Sequence, residues 1–86
     1  MEDLGAPSSY LALERGTAVF ASGGERIGAV TDVVDAPDAD IFDGLYFESE
    51  SGRRYAEGAI VEEIFERGVV LTVAADAVPG LPEPRS

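Results

Sequence analysis

The sequence predicts an all-β domain: a small antiparallel barrel or sandwich of about six strands with short terminal arms. Three observations predict it. Apolar residues gather in short strings, turn residues recur about every ten positions, and no window of about 11 residues keeps a helical period.

Residues 1–9 are small and polar and read as a flexible N-terminal arm. Tyr10-Leu11-Ala12-Leu13 is apolar and suits a first strand or a clasp, and Glu14-Arg15-Gly16 turns the chain. Thr17 to Phe20 reads as a strand, and Ser22-Gly23-Gly24-Glu25 as a hairpin turn, because paired glycines accept positive φ. Ile27 to Asp35 is the longest β-like run, with Gly28 inside it marking a bulge or sharp bend. Pro37 lies in a loop because it cannot donate to a ladder. Phe42 to Glu48 returns as a strand, Ser49 to Gly52 turns, and Arg53 to Ala56 is another short strand. Ile60 to Glu66 and Val69 to Val73 flank the hairpin signal Arg67-Gly68. Ala74 to Val78 suits one helical turn, and Pro79, Pro82 and Pro84 deny any regular continuation. The folded domain is thus expected over 10–78, followed by a Pro-rich tail over 79–86.

Composition removes many chemistries. Among 86 residues there is no His, Cys, Lys, Trp, Asn or Gln. An imidazole base, a thiolate, a Schiff-base amine, a zinc site, a disulfide framework and a Ser-His-Asp triad are all excluded by counting. Six Arg stand against 17 Asp plus Glu, a formal charge of −11, so the chain lacks the cationic surface that drives nucleic-acid binding. No apolar stretch approaches the ~18–20 residues that span a bilayer, so no membrane insertion is expected. The acidic start Met1-Glu2-Asp3-Leu4-Gly5 lacks the features of a signal peptide, which makes the cytoplasm the default address.

Apolar neighbours interrupt strict alternation at Val33-Val34, Leu45-Tyr46-Phe47, Ile60-Val61, Ile64-Phe65 and Val69-Val70-Leu71. Adjacent strand residues face opposite ways, so one face fills a core and the other needs a cover. Two covers are open: the domain's own Leu11, Leu13, Val78 and Leu81, or a partner surface. Tyr46, Phe65 and Val70 are the candidate interface residues.

Other constellations read as ordinary structure. Gly23-Gly24-Glu25-Arg26-Ile27-Gly28 is followed by a β-type run and contains no Lys, so it is a turn and not a phosphate cradle. Residues 35–43 form the densest acidic loop, and Asp38, Asp40 and Asp43 are candidate ligands for a weakly held divalent cation. The EF-hand spacing fails there, and solvated Asp side chains capping local N–H groups are the simpler reading. A 9.0 kDa domain offers little cleft for two carboxylates to act on a substrate. Arg53-Arg54 is expected to form cross-strand ion pairs.

The run from Gly16 through Ser22-Gly23-Gly24-Glu25-Arg26-Ile27-Gly28-Ala29-Val30 resembles the opening of PRC-barrel domains. Asp40-Ile41-Phe42-Asp43-Gly44-Leu45 is similar to the family's third strand, as found in stand-alone actinobacterial-type members. Tyr55 to Ile64, the Arg67-Gly68 hairpin, Val69-Val70-Leu71 and the ending Leu81-Pro82-Glu83-Pro84 continue the likeness over about residues 10–84. Gly23 stands where the family commonly has Asp, and Glu57 where it commonly has Pro. The resemblance implies a six-stranded barrel, shared with the cytoplasmic part of the reaction-centre H subunit and the C-terminal half of a small-subunit ribosome maturation factor. It implies protein docking, frequent self-association, no catalysis and no cofactor. The expectation is therefore a non-catalytic interaction module, a homodimer or a partner of other proteins. An accessory factor that binds a basic ribosomal protein is the alternative.

Overall fold

A computed structural model describes residues 4–36 and 41–83. Its strands are β1 (Ala18–Phe20), β2 (Arg26–Ala36), β3 (Ile41–Ser49), β4 (Gly52–Glu57), β5 (Val61–Phe65) and β6 (Gly68–Leu71). Three short 3-10 segments accompany them, Tyr10–Ala12, Gly58–Ile60 and Ala75–Gly80. The first stands where a strand or a clasp was expected; it is not a strand, and Leu13 at its end packs against the core. The last is the helical turn expected after Ala74, and it runs on through Pro79.

All six strands belong to one sheet in the order β4-β3-β2-β1-β6-β5. An antiparallel sheet was expected, and four of the five ladders are antiparallel; β1 and β6, however, run parallel, with Val19 opposite Val69. The sheet is therefore mixed. The reason lies between β4 and β5. These strands run in the same direction, so Gly58–Ile60 is a crossing from one sheet edge to the other and not a hairpin. A flat sheet would hold those edges five strand spacings apart, about 24 Å. A connection with only Gly58–Ile60 between the strands reaches at most about 14 Å. The sheet must therefore curl until its ends approach, although no ladder joins β4 to β5 among the described residues.

Curling gives the sheet an inside. Val19, Val30, Leu45, Phe47, Val69 and Leu71 fill it, each at most 2% exposed. Val78 packs into the same cluster, and Leu13 and Leu81 lie against it. Leu11, Leu13, Val78 and Leu81 were expected to cover the opposite face of the sheet; Leu13, Val78 and Leu81 join the inner cluster instead, and Leu11 stays 72% exposed. The register between β1 and β2 shifts around Ile27, which makes the expected bulge beside Gly28. A Cβ at Gly28 would run into the Glu48 carbonyl oxygen and press on the Phe47 ring, so glycine lets β2 and β3 close up there.

Candidate docking surface

The outer face of the sheet divides into two halves. Over β1, β5 and β6, Phe20 and Val70 form a second buried cluster with Leu4, and Phe65 packs against it. The cover is the chain's own arm. Ser8 N–H donates to the Ile64 carbonyl at 2.8 Å, Glu66 N–H to the Ala6 carbonyl at 3.0 Å, and Arg67 N–H to the Leu4 carbonyl at 2.9 Å. The arm's Ala6 N–H in turn donates to the Glu66 carboxylate at 2.9 Å. These bonds satisfy outward groups of an edge strand and place Leu4, 5% exposed, over Val70. Of the three candidate interface residues, the structure brings Phe65 and Val70 together beneath this arm. Val70 is 5% exposed and Phe65 half-buried. The run Val69-Val70-Leu71 is apolar because β6 is buried on both faces.

Over β2, β3 and β4 the arrangement differs. Ladder register places Tyr55, Tyr46 and Asp32 side by side across the three strands. Arg53, Glu48 and Ala29 form the row on one side, and Glu57, Gly44 and Val34 the row on the other. The two tyrosine rings touch, with centroids 4.9 Å apart and planes tilted by 47°. The Tyr55 hydroxyl donates to the Asp43 carbonyl at 3.1 Å. Its ring lies across Gly44, where a Cβ would come within 2.6 Å of the hydroxyl oxygen and 2.7 Å of Cζ. Burial of the phenol raises its pKa above the ordinary 10.0, and the charges of Asp43, Tyr46 and Glu57 push the same way. Both tyrosines remain half-buried and not covered. Asp32 carries an exposed ion pair with Arg15 at 3.4 Å.

The pairing of these tyrosines was open to sequence reasoning and was missed there. Tyr46 precedes Ser49 by as many residues as Tyr55 follows Gly52, so a tight turn between Ser49 and Gly52 sets the rings opposite.

The adjacent arginines separate, as strand alternation requires. Arg53 stands outward, opposite Glu48 in the ladder. Arg54 turns inward and is the one buried charged residue among the described residues. Its ion pair is not cross-strand: the guanidinium meets Glu83 of the tail at 2.9 Å and the Ser51 carbonyl at 2.7 Å. Beside it, Tyr55 N–H donates to the Pro82 carbonyl at 2.8 Å, so the tail lies along the β4 edge. An open groove of about 790 Å³ runs between Ile27-Gly28, the Glu48–Ser51 turn and the Ala75–Pro79 segment.

Asp38 and Asp40 of the acidic loop lie outside the described residues; Asp43 is exposed on β3. Among the described residues, no three Asp or Glu side chains converge as metal ligands, and no helix is long and apolar enough to cross a membrane. No protein-family model matches the chain, and no curated protein matches it.

Proposed function

We propose that this chain is a non-catalytic protein-docking module on the PRC-barrel plan, acting in the cytoplasm and working through the outer face of β2–β4. One observation carries the reading. The chain seals half of its outer sheet face with its own arm, yet leaves Tyr46 and Tyr55 half-exposed on the other half. Paired aromatic side chains with charged residues around them are the side chains that interfaces favour. Six strands in one sheet, and the short crossing that curls it, support the barrel plan.

Self-association belongs to this reading, with Tyr46 at the contact. Each copy carries a formal charge of −11, so two copies repel, and screening relieves the repulsion. The Debye length falls from ~10 Å at 0.1 M salt to ~3 Å at 1 M, so dimerisation should strengthen across that range. Sedimentation equilibrium tests it: a dimer favoured by salt and lost in Tyr46→Ser is the expected result. A monomer at every salt concentration overturns self-association. Val70→Ser is the wrong probe, since it opens a hole beneath Leu4.

The charge of −11 favours a second reading, docking of a basic protein such as a ribosomal one. That association would weaken as salt rises, the opposite signature.

A further inference from the structure

We propose that the β2–β4 face recognises an arginine side chain presented by a partner protein, its guanidinium stacked on the Tyr46–Tyr55 pair. This rests on the docking reading and names the chemistry of the partner. Aromatic faces carry negative potential and attract a cation placed over them. Here the two rings share one surface, 4.9 Å apart, with Asp32 beside Tyr46 and with Glu48 and Glu57 in the flanking rows. Rings and carboxylates therefore add their fields in the same direction. Arg53 is the single cation among the nine register positions of this face. Arg15 reaches Asp32 from outside, but at 3.4 Å and 81% exposed it forms a pair that an incoming arginine can displace.

The surface is also pre-organised. The Tyr55 hydroxyl is tied to the Asp43 carbonyl, and Gly44 lets the ring lie flush on the strand. A ligand then orders little on arrival. Arginine fits better than lysine because its planar, weakly hydrated guanidinium stacks on a ring while its N–H groups reach carboxylates in the same plane.

The test is an NMR titration of the full chain with tetra-arginine and, separately, tetra-lysine. Tetra-arginine should shift amides of β3 and β4 around Tyr46 and Tyr55, and bind more tightly than tetra-lysine. Tyr46→Leu should weaken it about tenfold, and Glu57→Gln by a smaller factor. Asp76→Asn, which removes a charge from the Ala75–Gly80 segment, should change it less than about twofold. A well-dispersed spectrum certifies that each variant is folded. Equal binding of the two peptides, or equal losses in Tyr46→Leu and Asp76→Asn, would reduce the effect to net charge and overturn the assignment. If the peptides move nothing while Tyr46-dependent dimerisation persists, the arginine assignment falls and the docking reading stands. If the dimer is absent as well, both fall.

Discussion

Replacing Leu4 with alanine tests whether the arm is part of the fold. Leu4 is 5% exposed and closes the cluster formed by Phe20 and Val70, with Phe65 along its side. Truncating a buried leucine costs about 2–5 kcal/mol, the spread reflecting how far the surroundings collapse into the hole. The low end applies here, because Phe65 forms a half-exposed wall and the arm can settle toward it. A loss of about 2 kcal/mol is large for a chain of 86 residues, whose whole stability is on the order of 4–13 kcal/mol. At roughly 4–8 °C per kcal/mol for a domain of this size, Tm should fall by about 8–16 °C. Thermal unfolding followed by circular dichroism measures this. Urea unfolding adds a check, since the midpoint should drop with little change in slope. A Tm within about 3 °C of the wild type would refute the reasoning, because it would mean that the arm contributes nothing and that Val70 is open to solvent.

Three further outcomes follow from particular contacts. Gly44→Ala drives a methyl group against the Tyr55 ring and the Ala56 carbonyl oxygen, 2.5 Å away; it should cost about 1–3 kcal/mol, read as a lower urea midpoint. Thr31→Val should be neutral or stabilising by about 1 kcal/mol, because Thr31 Oγ1 is buried with no hydrogen-bond partner among the described residues; a clear loss on chemical unfolding would show that the hydroxyl is satisfied after all. The raised pKa of Tyr55 means that the unfolded chain loses this proton before the folded chain does, so the phenol favours neither state below its ordinary 10.0. Above that pH the folded state should lose stability until Tyr55 itself ionises. An ultraviolet titration should show Tyr55 ionising late, a step absent in Tyr55→Phe.

Most strands were legible because they carry short apolar strings bounded by Gly, Pro or acidic turn residues, and the bulge was legible because Gly28 interrupts a long β-like run. The parallel ladder was not. Gly58–Ile60 looks locally like the start of a strand, and whether the chain reverses or crosses there depends on the curl of the whole sheet. The cover of β6 escaped notice because it is one leucine within an acidic arm, and a single residue sets no period. Inward-facing Arg54 defied the usual preference of charges for water. Ser51 and Glu83 receive its guanidinium, and Glu83 arrives from far along the chain. Phe65 and Val70 were read as candidate interface residues, but Val70 lies in a second buried cluster beneath Leu4 with Phe65 packed against it, a cover that the sequence did not point to.

The parallel ladder between β1 and β6 also shapes how the chain folds. Its partners lie far apart in sequence, as in Ala18 with Gly68, whereas β3 and β4 meet across the turn from Ser49 to Gly52. Closing the longer loop costs about 2 kcal/mol more in chain entropy than closing a tight turn. The β2–β3–β4 meander and the β5–β6 hairpin can therefore form as separate local units, and joining them along β1 is the slow step. Until that step, β1 has one neighbour instead of two, and the apolar side chains of β6 wait for the core they are meant to share.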